Sequence, residues 1–345
     1  MKDILMMGLT PPEEGGSERH IFEISSRLDN VNVLTQKNSI CKNKIGIKIL
    51  KSSTLLRNVS FAVSAFLYSL ILVFSLRKKY RTIHIHENLL YFLTPLLKIR
   101  YNVVVTVHGI KGFKFYDNKI LWFIFKQPLK LANRVISVNL EDKKILEKEL
   151  KRVSYVPNGV DLFLYKNINA KIENKISFIG RIHEQKGLVY LLEAFDKIKG
   201  NYPNFKLCII GEINDYAREL QKKFQDKRVI WKGFLSDRED IVRTLKSSYC
   251  IVLPSLWEGL PLTLFESLAS GRPVIVSDIP AFKSVIKNEA LFFDSKDSKD
   301  LKIKIEQIIE NPKYANSLGG KGLKLSEEYD WSNIAKETKE VYYEK

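Results

Sequence analysis

The sequence predicts an α/β protein made of two doubly wound domains, and three observations carry that prediction. Short β-branched runs alternate with apolar-periodic segments of helical length along the whole chain. The strand-like runs are continuously apolar, as expected of a parallel sheet covered on both faces. The series restarts after "VPNGVDLFLYKN", which places a hinge near Asn158-Gly159. A chain of 345 residues is long for one core and comfortable for two.

The first series of strands reads "DILMMGL" (3–9), "VNVLT" (31–35), "IGIKIL" (45–50), "TIHIH" (82–86), "NVVVTVH" (102–108) and "RVISV" (134–138). The second reads "KISFIG" (175–180), "FKLCIIG" (205–211), "RVIWKG" (228–233), "YCIVLP" (249–254), "RPVIVSD" (272–278) and "ALFF" (290–293). In "LSDRED", Ser236 with Glu239 three residues later has the spacing of a capping box and predicts a helix start. "DWSNIAKETKEVYYEK" reads as a last helix. The opening "MKDILMMGL" carries Asp3 inside a short apolar run, so it reads as a first strand and not as a signal peptide. Cys41, Cys208 and Cys250 are scattered, without metal-ligand spacing, and read as small core residues.

Charge is uneven. Up to Val160 there are 26 Lys and Arg against 12 Asp and Glu, and beyond it 30 against 27, within a formal total of +17. A basic first half suits a polyanionic partner such as an anionic membrane or a nucleic acid, and it equally suits Lys enrichment for solubility. "VSFAVSAFLYSLILVFSL" (59–76) has no charge over eighteen residues and is flanked by Arg57 and "RKKYR". By length it is a transmembrane candidate. Strands predicted on both sides of it argue against spanning, since one sheet cannot straddle a bilayer. A helix packed on the sheet is expected, either fully buried or with one face on lipid.

In open α/β sheets, ligands sit at the carboxyl ends of the strands. After the first strand comes "TPPEEGGSERH", where Gly15 and Gly16 let backbone amides approach an anion and Ser17 is placed as the helix N-cap. This is not GxGxxG, so a nicotinamide dinucleotide site is disfavoured. Other strand exits carry His84, His86, His108-Gly109 and "GRIHEQKGL", in which Arg181 and Lys186 can converge on a diphosphate or stand as solvated charges. His84 and His86 read as structural strand-end residues ahead of a direct catalytic role, and His20 and His183 as surface residues. "WEGLPLTLFES" holds Glu258 and Glu266, about 12 Å apart if the segment is helical. That separation suits the two ends of one elongated ligand better than a carboxylate dyad. Pro261 is placed in the first helical turn.

Together, "EGLPLTLFE", "GRIHEQKGL", "EEGGSERH", "VHG", "IHIHE" and "VPNGVD", in this order and at these strand exits, resemble the family-4 retaining glycosyltransferases along almost the whole chain. The resemblance implies the GT-B fold, two Rossmann-like domains facing a cleft. An acceptor-side domain would hold 1–160 plus a C-terminal helix at about 331–345, and a nucleotide-sugar donor domain would hold 161–330. It implies that Glu266 binds ribose hydroxyls and that Glu258 and Gly259 meet the transferred sugar. Arg181 and Lys186 would neutralise the leaving diphosphate in place of a metal, helped by the amides of Gly15, Gly16, Leu262 and Thr263. His108 would sit by the anomeric carbon. The electrostatic logic stands by itself, because preorganised cations and amides at a leaving diphosphate lower the barrier to glycosyl transfer.

The function expected is transfer of a hexose from a UDP- or GDP-sugar to a lipid-linked or glycan acceptor at the cytoplasmic membrane face. The nucleotide-sugar is a co-substrate, and no cofactor or metal is implied. The basic first domain would meet an anionic membrane surface. A nucleic-acid-binding protein would need basic residues interleaved with aromatics or a known module, and the sequence has neither. A non-catalytic nucleotide-sugar-binding subunit is disfavoured by the intact Glu258, Glu266, Arg181, Lys186 and His108. A same-fold epimerase finds no support. The loop "EINDY" after "CIIG" departs from the glycine-rich turn common in the family and leaves the base preference open.

Overall fold

A computed structural model describes residues 3–13, 15–50, 53–110 and 118–344. The chain divides into two compact units, Met1–Gly159 with Trp331–Lys345, and Val160–Asp330.

The first unit is built on seven strands: β1 (Ile4–Met7), β2 (Val31–Gln36), β3 (Lys44–Ile47), β4 (Thr82–Ile85), β5 (Asn102–Val107), β6 (Arg134–Ser137) and β7 (Val153–Tyr155). Their spatial order is β3-β2-β1-β4-β5-β6-β7, and every pairing is parallel. The three-residue β7 is missing from the sequence reading, because three residues are too few to show a period. Helices α1 (Gly16–Arg27), α2 (Thr54–Phe74), α3 (Thr94–Lys98), α4 (Lys119–Leu131) and α5 (Leu140–Glu147) connect the strands, with a 3₁₀ turn at Asn88–Leu93. The central strands are sealed on both sides: Val103, Val104 and Val105 of β5 are all fully buried, which is why the run shows no alternation.

The long apolar segment forms α2. Ser53 caps it by accepting from the Leu56 amide at 3.2 Å. Phe61, Ala65 and Leu72 pack into the core of the sheet, and the Tyr101 hydroxyl donates to the Leu72 carbonyl at 2.9 Å. Among the described residues α2 is the one helix long and apolar enough to cross a membrane. It connects β3 and β4 of one parallel sheet, so it runs back along the face of that sheet.

The second unit holds α6 (Leu162–Asn167), β8 (Lys175–Ile179), α7 (Leu188–Ile198), β9 (Lys206–Ile210), α8 (Asp215–Lys223), β10 (Val229–Gly233), α9 (Arg238–Lys246) and β11 (Cys250–Leu253). It continues with α10 (Leu262–Ala269), β12 (Val274–Ser277), α11 (Pro280–Lys283), β13 (Leu291–Phe293), α12 (Ser298–Glu310) and α13 (Pro312–Glu328). Strand order is β10-β9-β8-β11-β12-β13, again all parallel. One apolar cluster lies on each face of this sheet, as a doubly wound topology requires. The cap of α9 is Asp237, accepting from the Glu239 amide at 2.8 Å, one residue later than the expected Ser236. The last helix, α14 (Trp331–Tyr343), packs on α1 of the first unit. All three cysteines are buried and free.

Candidate active site

Numbered within each unit, the first sheet runs 3-2-1-4-5-6-7 and the second 3-2-1-4-5-6, so each has one topological switch point: between β1 and β4 in the first unit and between β8 and β11 in the second. Ligands of such sheets bind outside the carboxyl ends of those two strands.

At the second unit's switch point, the β8 exit carries Arg181 and Lys186 and the β11 exit carries Glu258. Lys186 Nζ lies 2.5 Å from Glu258 Oε1, and Ser255 donates to the same oxygen at 2.7 Å. Gln185 ties the two exits together, donating from Nε2 to the Trp257 carbonyl at 2.8 Å while its own carbonyl accepts from the Leu256 amide at 2.8 Å. Gly187 makes that closeness possible: its φ is +60°, and a Cβ there would stand 2.0 Å from the Pro254 carbonyl oxygen. Arg181 is exposed at the strand exit. The spacing between Glu258 and Glu266 is not that of one helix, because α10 begins only at Leu262 and Pro261 is its N-cap, not a first-turn residue. The helix has no side-chain cap, so the half-buried Leu262 and Thr263 stand at an amino end that favours an anion. Gly259 is half-buried in the loop before it.

Glu266 is buried in α10, and the acid's partner is Arg238, the first residue of α9, with Nη1 2.8 Å from Oε1. The sequence reading missed Arg238. Its only local signal is its place at a helix start beyond a strand exit.

At the first unit's switch point, Gly15 is the N-cap of α1 and Gly16 its first residue, so the cap is not Ser17. Glu14 of the "EEGGSERH" motif lies outside the described residues. A Cβ on Gly16 would meet nothing within 4 Å, whereas one on Gly15 would run into the Glu18 carboxylate at 2.1 Å. Four of the five histidines gather beside this loop. Strand spacing puts His84 and His86 on one face of β4, and His108 follows the neighbouring β5. The ring centroids of His84 and His86 are 4.0 Å apart, and those of His86 and His108 are 5.5 Å apart. His86 Nδ1 is 3.3 Å from His108 Nε2, so in the neutral pair one nitrogen donates and the other accepts. His84 meets the Tyr342 hydroxyl and Thr106 Oγ1, each at 2.7 Å, consistent with a strand-end structural role.

His20 corrects the sequence reading, which placed it on the surface. It is buried, 5.0 Å from His108 and 5.5 Å from Trp331 by ring centroid, and Nδ1 is 2.9 Å from Asn158 Oδ1. Residue 20 sits on the sheet-facing side of α1, which only the packing of that helix reveals. His183 is exposed, as expected. Burial holds His20 down to about 4 and keeps His84, His86 and His108 well below the usual histidine range, each lowered further by neighbouring histidines except His20. The four rings are therefore neutral near pH 7. His108 alone of the four is only half-buried and so can face a ligand. Glu87, at the β4 exit, is pushed up to about 7 by burial first and then by the nearby Glu18. Sequence reasoning assigned it no role. Among the described residues, no cluster of three or more His, Cys, Asp or Glu side chains is arranged to hold a metal ion.

Two doubly wound parallel sheets, one with paired cations and acids beside an open helix end at its switch point, are the architecture of a GT-B protein. The comparisons agree. The family model described as Glycosyltransferase Family 4 matches residues 14–163, and Glycosyl transferases group 1 matches 164–324. The chain is 33% identical over 267 residues to the UDP-Gal:alpha-D-GlcNAc-diphosphoundecaprenol alpha-1,3-galactosyltransferase of Escherichia coli, covering 68% of this chain and 67% of that one. Sucrose-phosphate synthase from Thermosynechococcus elongatus shares the fold at TM-score 0.80 with 19% identity, over 99% of this chain and 98% of that one. Anabaena HepE in complex with UDP and glucose shares it at TM-score 0.80 with 15% identity, over 99% of each chain. This chain belongs to the family-4 glycosyltransferases and has their GT-B fold.

Proposed function

We propose that the protein moves a hexose, with retention of anomeric configuration, from a UDP- or GDP-sugar to a lipid-linked or glycan acceptor at the cytoplasmic face of the membrane. The observation that carries this reading is the second unit's switch point, where Lys186 pairs with Glu258, Arg181 stands exposed at the same strand exit, α10 opens without a side-chain cap and Arg238 holds Glu266. Glu266 takes the ribose hydroxyls, and Glu258 with Gly259 takes hydroxyls of the sugar. Arg181, Lys186 and the amides of Leu262 and Thr263 take the diphosphate. The charge that a divalent cation would supply comes from the two side-chain cations, so the reaction is metal-independent and needs no cofactor. The second unit is thus the donor domain, and the first serves the acceptor. The lipid-linked acceptor is supported by the substrate that names the Escherichia coli relative, and UDP by that name and by the HepE complex. The basic first unit would bring the enzyme to an anionic membrane surface as a peripheral protein.

Calorimetric titration of UDP-, GDP- and ADP-sugars, in the presence of EDTA, tests this. The wild type should bind one nucleotide family, and Glu266→Ala should lose at least about tenfold in affinity, as expected when a buried hydrogen-bonding charge is removed. Full binding and turnover in that variant would remove the central claim. A strict requirement for a divalent cation would remove metal independence.

A further inference from the structure

A soluble helix buries its apolar stripe and shows water its polar one, and a helix that is apolar all round is normally buried all round. Helix α2 breaks this rule. Its inner stripe, Phe61, Ala65 and Leu72, is in the core, yet with Ser69 these are the buried residues of a 21-residue helix. The outer stripe repeats at helical spacing through Val59, Val63, Phe66 and Phe74, all exposed, Phe74 by 77%. Leu67 and Ile71 widen it. The feature extends beyond α2. The 3₁₀ turn at 88–93 packs against both α2 and α4, and its exposed Phe92 lies 6.4 Å from Phe125 of α4. Helix α4 in turn exposes Ile120, at 72%, together with Phe123 and Ile124. Two neighbouring helices therefore present apolar outer faces, and clustered exposed apolar side chains of this kind mark an interaction surface.

The surrounding charge says what covers them. Between Thr54 and Leu131 the sequence holds 12 Lys and Arg and two acids, Glu87 and Asp117. Arg57 stands near the amino end of α2, and Arg77, Lys78 and Lys79 follow its carboxyl end. A second copy would set like charge against like. Because β3 and β4 lie in one sheet, α2 cannot span. Resting on the proposal of a membrane-associated acceptor, we infer that α2 and α4 are an insertion face. They lie flat in the interfacial layer of an anionic bilayer, with Phe66, Leu67, Ile71 and Phe123 among the acyl chains and the flanking Arg and Lys at the headgroups.

The test is flotation of the full chain with vesicles of phosphatidylcholine, with and without phosphatidylglycerol. Wild type should float with the anionic vesicles, and Leu67→Gln/Ile71→Gln/Phe123→Gln should lower the partition coefficient at least about tenfold. Arg77→Gln/Lys78→Gln/Lys79→Gln should weaken it by a similar factor at low salt. In a Phe66→Trp variant, lipids brominated in the acyl chain should quench the new fluorescence. Unchanged partition of the apolar triple variant overturns the inference. So does a wild-type dimer, measured by light scattering without vesicles, that the triple variant converts to monomer. All three apolar substitutions are at exposed positions, so sugar-nucleotide binding by calorimetry should equal wild type. Its absence in wild type would fault the transferase reading, whereas intact binding with unchanged partition faults only the insertion face.

Discussion

Lys186 and Glu258 show how one contact can serve both stability and chemistry. Both side chains are nearly buried, and each neutralises the other. Removing one partner leaves an uncompensated charge, a cost of about 3–5 kcal/mol, whereas replacing both with uncharged groups of like volume is close to neutral. Lys186→Met should therefore destabilise strongly in urea titrations, and Lys186→Met/Glu258→Gln should recover most of that loss. Turnover should stay low in both, because the recovered stability restores no cation at the diphosphate. A double variant that regained activity along with stability would make the pair purely structural. Glu266 and Arg238 follow the same logic, 28 residues apart in sequence.

At the scale of elements, both switch points use the same device, a strand followed by a helix start whose N-cap has no capping side chain. Helix α1 begins at Gly16 after Gly15, and α10 begins at Leu262 after Pro261. Neither N-cap supplies a capping side chain, although at α1 the Glu18 carboxylate accepts from its own amide. Gly16 separates fold from function here. Space around its missing Cβ is open, and alanine is the better helix former, so Gly16→Ala should leave the melting temperature unchanged or slightly raised. If phosphates approach that amide, the added methyl group stands in their way, and kcat/KM should fall by roughly 10- to 100-fold. Unchanged kinetics would show that the first unit's glycines do not touch the donor.

For the whole molecule, the buried histidines dominate the acid side of stability. Each is held below its ordinary value of 6.5, so the unfolded chain takes up protons first as pH falls. Their contribution is complete above pH 6.5 and is lost progressively as pH falls below it, in the case of His20 down to about 4. Glu87 works in the opposite sense. Raised from 4.5 to about 7, it favours the folded state at low pH and loses that contribution as pH rises through 7. With four histidines against Glu87 and the more weakly raised Glu18, the urea midpoint should drop between pH 7 and pH 5. A midpoint that rose on acidification would put the carboxylates in control.

The sequence by itself determined the two-sheet α/β architecture, nearly all its strands, and the strand exits that carry Gly15, Gly16, His108, Arg181, Lys186, Glu258 and Glu266. These are readable because β-branched runs, helical periods and turn residues act within a few neighbours. It also marked 59–76 as unusual. What tertiary structure alone decided are pairings across long separations: Arg238 with Glu266, Asn158 with His20, and Tyr342 with His84, the last 258 residues apart. Those depend on strand order and on where α14 packs, and no local pattern encodes either. The same reason applies to α2. Its composition announces an apolar helix, but only the placement of the sheet beneath it decides which stripe is buried and which is left for another partner.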